Sequence, residues 1–190
     1  MRGGDAGKLS VLMFTAFIDM VGALMIIPLL PFYAKRFGAS DFAVMALVAA
    51  FSAMQLVSAP LWGRVSDRYG RKPALLFGLG ASMIAYIVFA YADSYWLLFA
   101  SRVIQGAGGG TTGVIQAYVA DSMAPKDRAK GLGWLSSATN AGVVIGPAIA
   151  SFSHNLGPHW PGMIAALLCA VVSQSHGHVG GRLHRDRPHG

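Results

Sequence analysis

The stretch LSVLMFTAFIDMVGALMIIPLLPFYA, residues 9–34, contains a single charged side chain, Asp19. About 20 predominantly apolar residues cross the hydrocarbon core of a membrane as a helix, so this stretch is long enough to span one. A cleavable signal peptide has a shorter apolar region, and it would not place an aspartate and Pro28 inside that region. The stretch therefore predicts a membrane-spanning helix.

Further runs of the same kind follow along the chain. Two of them contain no charged residue, and a third contains only Arg102. After Lys130 no charged residue occurs until Arg182, and the polar, turn-forming residues 153–159 divide that segment. Together the runs predict five secure spans and a short sixth one. The spans are expected at about 9–33, 42–62, 73–92, 95–119, 131–152 and 160–172.

The composition favours an all-α integral membrane protein. Of the 190 residues, 54% are apolar and only 12% are charged, and the mean hydropathy is +0.51. Soluble domains average about a quarter charged residues. Backbone amides in lipid must be satisfied within their own segment, so long continuous runs predict helices, whereas a β-barrel would show short alternating strands. We expect a membrane domain of six helices over residues 1–172.

Basic residues are distributed unevenly between the two predicted sides of the membrane. If the amino terminus is inside, the inner segments hold 12 of the 15 Lys and Arg residues, and the outer ones hold Lys35 and Arg36. Since Lys and Arg concentrate in cytoplasmic loops, this predicts a multi-pass protein of the inner (plasma) membrane with a cytoplasmic N-terminus. The net charge of +7 is thereby explained by topology, and we expect no nucleic-acid partner.

Two ionisable side chains, Asp19 and Arg102, lie inside predicted spans. At 1.5 Å per residue they lie roughly 15 Å and roughly 10 Å from the nearer membrane surface. A charge buried in lipid costs at least about 2.5–3.5 kcal/mol, which a partner or a water-filled cavity relieves. Our hypothesis is that both residues face one polar cavity and bias each other's charge. The alternative is a fixed ion pair that only holds the helices together.

Uncharged polar side chains also occur within the spans. Each one either lines a path for a small-molecule substrate or forms a hydrogen bond between helices, and for any single one the second interpretation has the higher prior. The candidates for the path are Gln55, Gln105, Thr112, Gln116 and Asn140.

The predicted connection between the second and third spans reads GRVSDRYGRKP, residues 63–73. Glycines near both ends, Gly63 and Gly70, permit a tight reversal, and Pro73 suits the start of a helix because its missing N–H is not needed there. Asp67 lies among four cations and is placed to form an ion pair or cap a helix. A basic inner loop that only sets topology is the plainer interpretation, although the spacing is more particular than that role needs.

This connection resembles the signature loop of the major facilitator superfamily. Residues 19–31, 102–110 and 142–147 are similar to the first-, fourth- and fifth-helix motifs of its drug:proton antiporters. Residues 118–129 also resemble tetracycline and multidrug efflux members. Four motifs occur in the expected order over about residues 9–155. The resemblance implies the N-terminal half-bundle of such a transporter, built from 3+3 inverted repeats.

The resemblance also implies roles for particular residues. Asp19 and Arg102 would couple transport to a proton gradient, with no other cofactor and no metal, and the protein would not be an enzyme. The substrates would be small lipophilic drugs, exported by alternating access. The helix-five residues Gly142, Gly146 and Pro147 would allow close packing and a bend. A cytoplasmic gate would comprise Gly63, Asp67, Arg68, Gly70, Arg71 and Lys72, with Asp121 and Arg128 as partners.

The resemblance ends before the chain does. Family members have twelve spans and about twice this length, and residues 173–190 neither match the family nor show helical periodicity. We expect residues 173–190 to be a disordered or out-of-frame tail. The missing C-terminal half, or a second copy of the chain, would then be needed as a partner in the lipid bilayer. The alternatives are a non-transporting membrane fragment of a damaged gene and a symporter half for sugars or metabolites.

Overall fold

The computed structural model describes residues 3–109, 111–154 and 157–185, with side chains at 9–109, 111–153 and 157–174. All regular elements within these ranges are helices, which confirms the all-α prediction. Two short 3-10 turns, at Ile27–Leu29 and Pro125–Asp127, accompany the α-helices. The α-helices are α1 (Gly3–Ile26), α2 (Leu30–Arg36), α3 (Asp41–Tyr69), α4 (Arg71–Ala90), α5 (Tyr95–Gly108), α6 (Thr111–Ser122), α7 (Arg128–His154) and α8 (Trp160–Arg185).

Four helical segments of the described chain are long and apolar enough to cross a membrane, and each coincides with a predicted span. The apolar part of the last helix, Trp160–Gln174, is shorter. The four segments are Leu9–Arg36, Asp41–Tyr69, Arg71–Ala90 and Pro125–Ser153.

The first span is interrupted where the sequence places Pro28. Helix α1 ends at Ile26, a 3-10 turn carries the proline, and α2 continues from Leu30. Proline has no N–H to donate and its ring clashes with the preceding turn, so it ends an α-helix or bends it. The span is thus two helices joined by a tighter turn.

The predicted fourth span, 95–119, is not one continuous helix. Helix α5 ends at Gly108 and α6 begins at Thr111. Glycine disfavours the helix interior by about 1 kcal/mol relative to alanine, and consecutive glycines concentrate that cost at one place. The expectation of an unbroken helix is therefore wrong at this point.

Side chains of α3 satisfy the backbone around this break. The hydroxyl of Ser58 donates to the carbonyl of Gly106 (3.0 Å), and the indole N–H of Trp62 donates to the carbonyl of Ala107 (2.6 Å). The Gln55 amide donates to the carbonyl next beyond the helix, that of residue 109 (3.1 Å). A helix can end at membrane depth only if the carbonyls it releases find other donors. Helix α3 supplies those donors.

The connection between the second and third spans is shorter than predicted. Helix α3 continues through Gly63 to Tyr69, and α4 begins at Arg71, so the reversal is made at Gly70 alone. Gly70 has φ +99° and ψ 157°, a backbone conformation that is essentially restricted to glycine. Pro73 is in the first turn of α4, as expected of a residue without an N–H donor. The prediction of a loop bounded by two glycines is wrong at its first glycine.

The last helix also extends beyond the predicted boundary. Helix α8 continues to Arg185, so the backbone of residues 173–185 is helical, contrary to the expected tail. A helix that has already formed can continue into residues without an apolar stripe, because elongating a helix is easier than nucleating one. Residues 186–190 lie outside the described residues, and the out-of-frame origin of the tail stays a prediction.

The helices pack in pairs that relate the first three spans to the second three. Helix α1 lies along α7, α3 lies along α5, and α4 lies along α8. This pairing agrees with the predicted arrangement of two three-helix repeats. The largest apolar cluster joins α1, α2, α4 and α8, and includes Met25, Tyr33, Phe89 and Ala165.

Candidate functional site

Asp19 on α1 and Arg102 on α5 form no ion pair with each other in the described chain. Asp19 is half-buried on α1, whereas Arg102 on α5 is 2% exposed. The Arg102 guanidinium lies over the ring of Phe89 at 5.3 Å and donates from Nε to the Ser101 hydroxyl at 3.4 Å. The fixed ion pair of the alternative hypothesis is therefore not what this structure contains.

Tyr86 on α4 lies between these two residues. It is fully buried, and its hydroxyl accepts a hydrogen bond from the amide Nε2 of Gln105 at 3.0 Å. The hydroxyl interacts electrostatically with both Asp19 and Arg102. A Cβ atom at Gly22, one turn beyond Asp19, would lie 2.8 Å from that hydroxyl, so the glycine makes room for it. Tyr86 thus connects α1 with α5.

Tyr86 is not among the site residues predicted from the sequence. Residues 73–92 carry no charge, so the run predicts only a membrane span. A tyrosine in such a run is a usable signal, because a buried phenolic O–H usually has a hydrogen-bond partner.

A polar cavity contains three of the five residues proposed to line a substrate path. Its volume is about 180 Å³, and it lies between α1, α6 and α7. Thr112, Gln116 and Asn140 all line it, together with Ser136 and Thr139. Hydroxyl and amide groups from α6 and α7, together with the apolar Ala16, Ile115 and Leu135, suit a ligand that is partly apolar.

The other two candidates lie elsewhere. Gln55 bonds to the backbone at the break after α5, and Gln105 bonds to Tyr86. These bonds match the interhelical interpretation that the sequence left open for each polar residue. Asp19 is not among the described side chains that line either this cavity or a smaller one beside Arg102.

Arg71 is the centre of a charge cluster at the C-terminal end of α3. Its Nη1 lies 2.7 Å from a carboxylate oxygen of Asp67, one turn back across the reversal. Its Nη2 and Nε lie 3.0 and 3.1 Å from Oδ2 of Asp121 at the end of α6. Nη1 also donates to the buried hydroxyl of Ser66 at 2.9 Å. One guanidinium therefore joins the ends of α3, α4 and α6.

The remaining residues predicted for this region surround the cluster without joining it. Arg68 lies over the ring of Tyr69 at 5.5 Å, and Nε of Arg128 donates to the carbonyl of Met123 at 3.4 Å. Lys72 borders an open apolar cleft on α4. Gly63 lies inside α3, and a Cβ atom there would meet nothing within 4 Å, so that position does not require glycine.

Gly142 and Gly146 lie on the face of α7 that contacts α1. A Cβ atom at Gly142 would lie 2.7 Å from the carbonyl oxygen of Phe17, and one at Gly146 would lie 3.0 Å from that of Val21. Spacing of four residues places both glycines on one face, and the absent side chains let the two backbones approach. Pro147 lies inside the same helix, which continues on both sides of it.

Comparison with known proteins agrees with this architecture. The model of the Major Facilitator Superfamily matches residues 12–174. Tetracycline resistance protein, class B, of Escherichia coli is 36% identical over 160 residues, which cover 82% of this chain and 39% of that protein. Multidrug resistance protein 2 of Bacillus subtilis is 32% identical over 167 residues, which cover 86% and 42%. The chain thus spans less than half the length of these relatives.

Solved structures share the fold. The human organic anion transporter MFSD10 (TETRAN) superposes with a TM-score of 0.76 at 24% identity, covering 90% of this chain and 46% of that one. A peptide transporter, POT, superposes with a TM-score of 0.81 at 20% identity, covering 90% and 37%. At these identities the likeness concerns the fold alone.

Proposed function

Because the chain belongs to the major facilitator superfamily, we propose that it supplies the N-terminal half of a proton-coupled exporter of small lipophilic drugs. Its relatives are named for resistance to tetracycline and to multiple drugs. The observation that carries the proposal is the pair of ionisable side chains within the helices, Asp19 and Arg102. Ionisable groups in membrane spans are costly and are typically functional.

In this proposal Asp19 binds and releases the transported proton. Asp19 lies on α1 within a predicted membrane span, where an ionisable carboxyl is costly and typically functional. Arg102 contributes a positive charge that favours the ionised carboxylate, and Tyr86 lies between the two. The drug occupies the polar cavity lined by Thr112, Gln116 and Asn140, and its entry and the proton's departure alternate.

We assign the gate to the cluster around Arg71. Its ion pairs with Asp67 and Asp121 hold the ends of three helices together, and they would stabilise one of the two conformations of an alternating-access cycle. Both ion pairs are partly exposed to water, so breaking them during the cycle costs little free energy.

The proposed orientation places the Arg71 cluster on the cytoplasmic side of the inner membrane. Most of the basic residues are expected on that side, and the Lys35–Asp41 pair is at the other end of α3. The chain spans less than half of its relatives' length, and the proposal pairs it with a C-terminal half or a second copy of itself.

Drug uptake into everted vesicles that contain the full chain tests the proposal. We expect accumulation of tetracycline that an uncoupler abolishes, and we expect Asp19→Asn to reduce it to the level of vesicles without the protein. Asp41→Asn is the matched control, because Asp41 is exposed at the other end of the bundle and should leave uptake unchanged.

The same measurement distinguishes the alternatives. Absence of uncoupler-sensitive uptake from vesicles in which the chain is inserted alone would refute an exporter built from two copies and favour a non-transporting fragment. Accumulation in intact cells instead of everted vesicles would favour a symporter. Uptake that remains proton-driven in Asp19→Asn would remove Asp19 from the coupling role.

A further inference from the structure

Arg102 and Gln105 lie one turn apart on α5, and both are almost completely buried, with 2% and 3% of their surface exposed. Nη2 of Arg102 and Oε1 of Gln105 are the buried polar atoms that have no hydrogen-bond partner among the described side chains. One is a donor and the other an acceptor. A buried polar atom without a partner is costly, and a bound water is one way to satisfy it.

Both residues line the same small cavity. Its volume is about 10 Å³, and all its other walls are apolar. A single water molecule needs about 10–15 Å³ of such space and at least two polar partners, so the space is about enough for one water. The apolar lining consists of Ala23, Ile27, Leu30, Val48 and Phe51.

We propose that one water molecule binds between Arg102 and Gln105, accepting a hydrogen bond from Nη2 of the guanidinium and donating one to Oε1 of the amide. Tyr86 is the positioning residue for this site. Its hydroxyl accepts a hydrogen bond from Nε2 of Gln105 at 3.0 Å and thereby fixes the amide of a side chain that lines the cavity. A chloride ion fits the site less well, because it would meet the amide oxygen, which is an acceptor.

The water gives Arg102 a neutral partner, so its positive charge is not cancelled by a carboxylate. The field of the guanidinium then extends through the Gln105–Tyr86 hydrogen bond towards α1 and Asp19. This consequence rests on the proposed coupling role, whereas the water site itself does not depend on transport.

Solid-state NMR of the full chain in lipid bilayers, labelled with ¹⁵N-arginine, tests the site. We expect a cross-peak between the Arg102 guanidinium, assigned by its loss in Arg102→Lys, and a slowly exchanging water. Gln105→Met, which keeps the length of the side chain but removes the acceptor, should abolish the cross-peak. Gln55→Met is the matched control and should leave it unchanged.

A second pair of variants examines Tyr86. Tyr86→Phe should weaken the cross-peak about fivefold, the change in an equilibrium that loss of one ordinary hydrogen bond produces. Tyr33→Phe removes another buried tyrosine hydroxyl, which bonds to the carbonyl of Pro158, and should have no effect. The Arg71 signals, shifted by its ion pairs, report in each spectrum that the variant is folded.

Absence of the cross-peak from the unmodified chain, or its persistence in Gln105→Met, would overturn the proposal. A shift of the Arg102 signal when chloride is replaced by gluconate would also overturn it and assign the cavity to an anion. A cross-peak that behaves as expected in a chain without drug uptake would refute the proposed function and leave the water site intact.

Discussion

Arg71 and Arg102 carry the same side chain in two opposite surroundings. Arg71 is a quarter exposed at an end of the bundle and forms ion pairs with Asp67 and Asp121. Arg102 is buried and, among the described side chains, contacts a phenyl ring and a hydroxyl but no carboxylate. Near water an ion pair forms at little cost, whereas in the interior each added charge must be desolvated. The bundle therefore places its ion pairs at its ends and leaves its buried cation with neutral neighbours.

The largest expected effect is at the buried arginine. Arg102→Met should raise the free energy of unfolding by about 1–4 kcal/mol, because an apolar side chain of similar length replaces a desolvated charge. Denaturant titration in detergent micelles, followed by circular dichroism, measures this change. Arg36→Met, at an exposed position, should change stability by no more than about 0.5 kcal/mol. A destabilised Arg102→Met would mean that the guanidinium has a stronger partner than those described above.

The next effect concerns the reversal that places Arg71 beside its partners. Gly70→Ala should lower the free energy of unfolding by about 1–3 kcal/mol, since alanine disfavours φ +99°. Gly63→Ala is the matched control in the same region. It should be neutral or stabilising by up to about 1 kcal/mol, because the position is helical and open. Equal effects of the two substitutions would contradict the backbone assigned to Gly70.

Removing the exposed cluster should have a smaller effect. Arg71→Met breaks two partly exposed ion pairs and should cost about 1 kcal/mol at low salt. The same titration, repeated at increasing ionic strength, should show this cost shrinking because salt screens exposed charges. The effect of Arg102→Met should not depend on salt. If both arginines respond to salt alike, the contrast between them is wrong.

The smallest effect is expected at the pair on the other end of α3. Nζ of Lys35 lies 3.1 Å from Oδ1 of Asp41, and the two side chains are 61% and 89% exposed. Asp41→Asn should change the free energy of unfolding by less than about 0.5 kcal/mol. Asp121→Asn, measured beside it, should cost more because Asp121 forms both an ion pair and a hydrogen bond with the Arg71 guanidinium.

Features that depend on the composition of a whole span could be predicted from the sequence. Features that depend on single contacts between helices could not. Apolar runs located the spans because membrane thickness fixes their length. The resemblance implies Asp121 as a partner in the gate, and the structure has its carboxylate beside the Arg71 guanidinium. The break at Gly108 was missed because its cost is offset by side chains of another helix, which no local pattern reveals.

The roles of the polar residues within the spans were harder to predict for the same reason. Gln55, Gln105 and Gln116 look alike in sequence, yet one bonds to a backbone carbonyl, one to Tyr86, and one lines a cavity. Which role each takes depends on the rotation of its helix and on the neighbours across the interface. Those are tertiary quantities, and hydrophobic periodicity determines them only coarsely.

The break between α5 and α6 depends on donors from α3, so this part of the bundle needs a second helix for its stability. Gln55, Ser58 and Trp62 bond to carbonyls that a continuous helix would have bonded to its own amides. Residues 95–122 are therefore not a portable module. Grafted into another scaffold without α3, they would expose several peptide carbonyls to hydrocarbon, and the segment would have to straighten into a single rod or leave the bilayer.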